Sequence, residues 1–138
     1  MNTTADNQNP LFQSFEKKAE KLIENNEKTA QLLDEAMLKL DSIGKGPVDE
    51  VWDHLLLFVQ MMRDWATGKY RNMPIGSVIM IVASLVYFCS KKKKFPKFIL
   101  GLGHIDDLAI ISFTFRQIQN DVDKYIVWRN IRDINSSI

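Results

Sequence analysis

A run of eighteen residues without a charged side chain, 73–90, dominates the middle of this sequence. As a helix it would be about 27 Å long, which is at the lower limit for crossing a lipid bilayer. Basic residues flank both ends, with Lys69 and Arg71 before the run and Lys91 directly after it, so the positive-inside rule assigns no orientation. The run is therefore a short membrane span, a helix in the membrane interface, or a helix buried in a bundle.

The segment that follows argues against a second membrane span. Residues 98–115 are largely apolar but carry His104, Asp106 and Asp107 near the middle. A carboxylate at the bilayer centre costs about 2.5–3.5 kcal/mol on insertion scales, and its apolar neighbours do not easily offset two of them. The pattern thus favours a compact bundle, or partial placement in the interface, over a two-pass hairpin.

Apolar residues recur with helical periodicity along most of the chain, and no stretch alternates as a β-strand does. We expect an all-α protein, a small helical bundle with a long N-terminal amphipathic helix and a central apolar helical hairpin. The expected organisation is a disordered N-terminus over 1–9, the amphipathic helix over 10–42, and a helical core over 47–133. A length of 138 residues fits one domain with a sizeable core.

Within residues 10–42, apolar and small residues alternate at three- and four-residue spacings, which is typical of a helix that packs against one partner helix. The predicted seam includes Phe12, Phe15, Leu22, Asn26, Leu33 and Leu40. Asn26 lies at its middle, where a polar residue in a coiled coil fixes register at a cost in stability. The seam predicts self-association or a partner protein, and the alternative is a helix that lies on its own bundle.

Five lysines and two phenylalanines follow the apolar run: Lys91, Lys92, Lys93, Lys94, Phe95, Lys97 and Phe98. Basic residues beside an apolar helix attract anionic headgroups by about 1 kcal/mol each, and aromatic side chains insert at the acyl boundary. The cluster predicts contact with membrane lipid or another anionic partner. The alternative is a solvated loop that pairs with Asp106 and Asp107. Because the net charge is only +1, no nucleic-acid partner is expected.

The sequence contains no nucleophile–base pair, glycine-rich phosphate loop or His/Cys metal spacing. Asp106, Asp107 and His104 are possible metal ligands, but helix capping and pairing with the lysines is the favoured explanation. His54 is expected to be a half-buried histidine, and the single cysteine, Cys89, a packing residue. We therefore expect no catalytic site, no metal and no cofactor.

The order of features around residues 90–107 resembles the YkvA-like family, a bacterial domain of unknown function. An apolar helix, Ser90, a linker with a proline, a glycine turn, Asp106 and Asp107, and a second apolar helix follow one another. The resemblance covers about residues 69–129. Further matching positions in the linker are Pro96, Phe98, Ile99 and Gly103. Before the first helix they are Tyr70, Arg71 and Pro74, and after the second they are Asp121, Tyr125 and Trp128.

This chain departs from the family's usual linker, which reads like Ser-Pro-x-Asp-x-x-Pro-Asp. Lys91 stands at the position of the first proline, and Lys93 and Lys97 stand where the family has acidic residues. Two of four acidic positions are therefore basic here, which weakens any metal or proton role for clustered carboxylates. The resemblance implies a helical, membrane-linked protein with no established reaction.

Together these features predict a small helical protein without catalysis at the cytoplasmic side of a bacterial cell membrane, where it acts as a protein- or lipid-interaction module. The alternative is a soluble, cytoplasmic helical bundle that acts as a binding or regulatory module. A metal-dependent enzyme is a third and weaker hypothesis.

Overall fold

The structure is a computed structural model, and it describes residues 10–44, 50–94 and 111–137. All regular secondary structure in these ranges is helical, so the predicted all-α class is confirmed. The helices are α1 (Pro10–Leu22), α2 (Asn26–Ile43), α3 (Glu50–Ala66), α4 (Ile75–Lys94), α5, described over 111–117, and α6 (Gln119–Ser137).

The uncharged run forms α4, which is the central helix of the bundle. Each residue from 81 to 88 is at most 7% exposed, so this helix is buried around its whole circumference. α1, α2 and α3 all pack against it, and Ser84 shares a buried hydrogen bond with Thr114 of α5. Because burial of apolar surface is the main stabilising term in folding, the chain's own helices supply the environment that this run requires.

The directions of the helices follow from pairs of contacts. Between α2 and α3 the contacts are Asp34–Arg63 and Leu40–Trp52, and between α4 and the last two helices they are Ser77–Asp121 and Ser84–Thr114. Between α3 and the last two helices they are Phe58–Phe115 and Asp64–Tyr125. α2 and α4 therefore run one way, and α3, α5 and α6 run the other. Phe15, near the start of α1, packs edge-on against Tyr87, near the end of α4.

These directions give the bundle two ends. At the first, α4 finishes with residues 91–94 beside the end of α2, and we call this the lysine end. At the second, α3 finishes, α4 begins and α6 contacts both, and we call this the aromatic end after Tyr70, Tyr125 and Trp128.

The expectation of one helix over residues 10–42 is wrong, because the chain turns at residues 23–25. Asn25 has an extended backbone and caps α2, and its side-chain oxygen accepts a hydrogen bond from the Lys28 backbone N–H at 3.0 Å. Asparagine is among the best N-cap residues, so it favours a new helix start here. The buried Thr29 hydroxyl reinforces the turn by donating to the Leu22 carbonyl at 2.8 Å.

Part of the predicted seam packs against other helices of the same chain. Leu33 and Leu40 are each 1% exposed in the core of the bundle, and α1 and α2 pack on α4 of the same chain. The positions of these two leucines agree with the alternative, a helix that lies on its own bundle, and pairing with a second chain stays a prediction. Among the remaining seam residues, Phe15 and Leu22 are partly buried against the core, Asn26 is exposed, and the side chain of Phe12 lies outside the described residues.

Candidate functional site

Three aromatic rings pack together at the aromatic end. Tyr70, in the turn before α4, lies edge-on to Tyr125 of α6 with ring centroids 5.2 Å apart, and 4.9 Å from the ring of Trp128. Tyr125 and Trp128 share a helix face because they are three residues apart. Gly68, whose φ is 82°, ends α3 and turns the chain so that Tyr70 reaches them. Aromatic pairs in such geometries contribute about 0.5–1.5 kcal/mol each beyond the area they bury.

Asp64, at the end of α3, links this aromatic cluster to charged groups. Its carboxylate accepts a hydrogen bond from the Tyr125 hydroxyl at 2.7 Å and lies 3.6 Å from the Arg132 guanidinium. The Asp64 side chain is only 15% exposed. Burial, followed by the hydrogen bond to Asp64 and its negative charge, raises the pKa of Tyr125 far above its ordinary value. The Tyr125 hydroxyl therefore stays protonated and acts as a fixed donor.

The Tyr70 hydroxyl is in a different position. The residue is 4% exposed, and its hydroxyl has no hydrogen-bond partner among the described residues. Burial, and then the charge of Asp121, raises the pKa of Tyr70, so the hydroxyl stays neutral. A buried polar group without a partner costs about 1–3 kcal/mol, and the packing of its ring must offset that cost.

Two polar contacts fasten α6 to the earlier helices. Arg129 donates to the side-chain oxygen of Gln60 on α3 at 2.6 Å, and the Ser77 hydroxyl on α4 donates to the Asp121 carboxylate. Hydrogen bonds that involve a charged group are roughly twice as strong as neutral ones. Within the described ranges, no group of three or more His, Cys, Asp or Glu side chains could hold a metal ion. Arg129 and Asp121 thus join α6 to α3 and α4.

At the lysine end, α4 finishes in four consecutive lysines, and acidic residues lie at the neighbouring helix ends: Asp41 on α2, and Glu50 and Asp53 on α3. The backbone of α4 stays helical through Lys94, so residues 91–94 form its last turn. Cations in the last turn interact favourably with the helix dipole, by about 0.3–1 kcal/mol each at exposed sites. Lys39 of α2 adds to them, because its ammonium donates to the Phe88 carbonyl and lies 4.5 Å from the centroid of the Phe88 ring. Five lysines are therefore grouped where α4 finishes.

His54 of α3 stacks on Phe115 of α5, with ring centroids 3.7 Å apart and planes 9° from parallel. Its Nδ1 atom is buried and has no hydrogen-bond partner in the described part of the chain. Burial lowers the pKa of His54, although the charges of Glu50 and Asp53 act in the opposite direction. This placement agrees with the expected half-buried histidine.

Two comparisons with known proteins bear on this arrangement. The family model described as "Protein of unknown function (DUF1232)" matches residues 77–113, which run from the first turn of α4 into α5. The "Uncharacterized membrane protein YkvA" of Bacillus subtilis (strain 168) is 33% identical over 76 residues, which are 55% of this chain and 72% of that protein. The chain belongs to the YkvA-like family. No solved structure matches it.

Membership confirms the resemblance that the sequence suggested, and it brings no reaction with it. The matching family model is of unknown function, and the Bacillus relative is an uncharacterised membrane protein by its name. Among the helices that the structure describes, none is both long enough and apolar enough to cross a membrane.

The structure brings together family-like residues that lie far apart in the sequence. Tyr70, from before the first apolar helix, meets Tyr125 and Trp128 from after the second. The sequence analysis missed the arginines that accompany them. The sequence did contain a signal, because Arg129 and Arg132 each follow an aromatic residue, Tyr125 and Trp128, by four positions. In the structure the guanidinium carbon of Arg129 lies 5.6 Å from the centroid of the Tyr125 ring, and that of Arg132 lies 4.9 Å from the centroid of the Trp128 ring. Such pairs indicate a helix face that is partly covered.

Several other predicted site residues belong to parts of the chain that the structure does not describe. Phe95, Lys97, Phe98, Asp106 and Asp107 lie outside the described residues. For Lys91, Lys92, Lys93 and Lys94 the structure describes the helical backbone only.

Proposed function

We propose that this YkvA-like protein is a non-catalytic component of the inner face of the bacterial cell membrane, and that it contacts anionic lipid through its lysine end. The observation that carries the proposal is that a helix buried in the bundle ends in four consecutive lysines. The membrane-protein name of the Bacillus relative supports a location at a membrane.

The burial of α4 limits which part of this helix could contact lipid. Since α1, α2 and α3 pack against it and residues 81–88 are covered, a lipid contact that used this helix would fall at residues 91–94 or beyond. In the sequence Phe95, Lys97 and Phe98 continue the segment with the residue types that favour the boundary between headgroups and acyl chains.

The expected strength follows from the number of charges. Each lysine near an anionic surface contributes about 1 kcal/mol, so four lysines contribute about 4 kcal/mol, or roughly a thousandfold in affinity. The attraction decreases within a Debye length, about 8 Å at physiological ionic strength, so it must weaken as salt is added.

The test measures binding of the purified full chain to phosphatidylglycerol-containing vesicles and to neutral phosphatidylcholine vesicles by co-sedimentation. A variant with Lys91, Lys92, Lys93 and Lys94 all changed to Gln should lose at least about thirtyfold in affinity for the anionic vesicles, and its binding should depend less on salt. Neutral vesicles should bind the parent weakly.

The matched control removes the same charge elsewhere. Lys21, Lys28, Lys69 and Lys124 are exposed and lie away from the lysine end, so changing all four to Gln gives the same net charge. This control should bind anionic vesicles within about threefold of the parent if position rather than total charge decides. Equal losses in the two variants, or a parent that binds neither vesicle, would refute the proposal.

A further inference from the structure

α1 covers one face of α4. It packs chiefly on that helix and only slightly on α2. The Phe15 ring lies edge-on to the Tyr87 ring, with centroids 5.4 Å apart, and Ala19 of α1 is 0% exposed. On its other side α1 carries the exposed residues Lys17 and Lys18. α1 is therefore an outer layer over α4.

The turn between α1 and α2 has the features of a hinge. Residues 23–25 form this turn, and Asn25 caps α2 without a group from α1, because its side chain accepts from the Lys28 backbone N–H. The Thr29 hydroxyl holds the end of α1 at the Leu22 carbonyl. Movement of α1 about this turn would leave the cap of α2 intact and carry the Pro10 end farthest from α4.

Glu16 opposes the docking of α1. The residue is partly buried, and burial, followed by the charge of Glu20, raises the pKa of Glu16. A carboxyl group whose pKa is higher in the folded state stabilises that state at low pH, and this contribution is lost as the pH rises through the folded pKa. Once ionised, Glu16 keeps a charge in a partly buried position, so α1 is held less firmly than its apolar contacts alone would hold it.

The face of α4 beneath α1 has the composition of a lipid-binding surface. It belongs to the uncharged run 73–90. Tyr87 lies one turn after Ala83 and one turn before Lys91, so the covered face continues into the lysine end. Contact of this face with acyl chains would therefore be continuous with contact of the lysines with anionic headgroups.

We propose that α1 is a displaceable cover, and that the face of α4 beneath it enters the acyl-chain boundary of an anionic membrane when α1 moves away. This inference rests on the membrane contact proposed above and adds a closed and an open form of the bundle. In the closed form only the lysine end contacts lipid. In the open form the apolar face of α4 strengthens that contact.

The first test measures the opening of α1 in the full chain without lipid. Ala19 on α1 and Ala36 on α2 are both 0% exposed, so Ala→Cys at each position, in a Cys89→Ser background, gives a matched pair. Ala19→Cys should react with a water-soluble thiol reagent at least about tenfold faster than Ala36→Cys, because local opening exposes it without global unfolding. Equal rates overturn the inference, whether or not the protein binds lipid.

The second test measures binding to phosphatidylglycerol-containing vesicles. Ala19→Gln disturbs the buried side of α1, and Ala30→Gln makes the same change at an exposed position of α2. Ala19→Gln should bind at least about fivefold more tightly than the parent, and the gain should persist at high salt because it comes from apolar contact. Ala30→Gln should bind as the parent does.

A cross-link keeps the inference testable if Ala19→Gln misfolds. In a Cys89→Ser background, a short bis-maleimide linker between Phe15→Cys and Tyr87→Cys holds α1 closed, and the same variant blocked with a mono-maleimide is the control. The cross-linked protein should bind the vesicles at least about fivefold more weakly than the control. Equal binding of these two forms overturns the inference, and the proposed function stands if the four-lysine variant still loses affinity. If none of these proteins binds vesicles, both proposals fail.

Discussion

The aromatic end and the lysine end of this bundle use charge in opposite ways. At the aromatic end, charged groups pair across helices: Asp64 accepts a hydrogen bond from Tyr125 and pairs with Arg132, and Arg129 donates to Gln60. At the lysine end four charges of one sign follow one another along the last turn of α4.

The difference separates a structural role from a binding role. Partly buried charges that pair across helices stabilise one arrangement of those helices, and breaking such a pair is costly. Adjacent lysines repel one another, and this repulsion offsets part of the favourable interaction of last-turn cations with the helix dipole, so the lysine end gains little stability from its composition. We infer that substitutions at the aromatic end change folding, whereas substitutions at the lysine end change binding.

The largest effect on stability is expected from Asp64→Ala. This change leaves the Tyr125 hydroxyl and the Arg132 guanidinium without their partner, and should lower the free energy of unfolding by about 2–3 kcal/mol. Asp34→Ala is the matched control, because the Asp34–Arg63 pair has side chains that are 69% and 47% exposed. It should cost less than about 1 kcal/mol. Urea unfolding of both variants measures the difference, and equal losses would contradict the assigned role of Asp64.

A smaller effect of opposite sign is expected from Tyr70→Phe. The change removes a buried hydroxyl that has no partner among the described residues and keeps the ring that packs on Tyr125 and Trp128. The variant should be about 1 kcal/mol more stable than the parent in thermal or urea unfolding. Tyr125→Phe should be destabilising, because it removes the donor to Asp64. A loss of stability in Tyr70→Phe would indicate that the Tyr70 hydroxyl has a partner.

The smallest effect concerns pH and His54. Burial holds the pKa of folded His54 below its ordinary value near 6.5, so the unfolded chain binds more protons as the pH falls. The contribution of His54 to stability is therefore complete above pH about 6.5 and decreases below it. His54→Phe should keep the stack on Phe115 and flatten the pH dependence of the melting temperature in this range. An unchanged pH dependence would show that His54 is not the responsible group.

The sequence predicted the broad architecture because the relevant signals are local. Eighteen uncharged residues followed by a segment with two carboxylates favoured burial of the first part in a bundle, and the structure places it there. The helix break was missed for a physical reason: residues 23–25 form one tight turn, so the three- and four-residue spacing continues across it. Asn25 was the local signal for that break.

Contacts between distant residues could not be predicted from one sequence. Asp64 and Tyr125 are 61 positions apart, and nothing local to either residue identifies the other. The free face of α6 was likewise not predictable, because apolar residues occur on several of its sides. The contacts of Tyr125 and Arg129 with α3 determine that Val127, Ile131 and Ile134 face outward.

The central claim is that the lysine end, and not the aromatic end, faces the membrane. A spin label attached at Lys94→Cys or at Lys124→Cys, each in a Cys89→Ser background, tests it directly. With anionic vesicles, the label at position 94 should lose access to a water-soluble relaxation agent, and the label at position 124 should keep it. Protection at position 124 with free access at position 94, while the protein is bound, would contradict the claim.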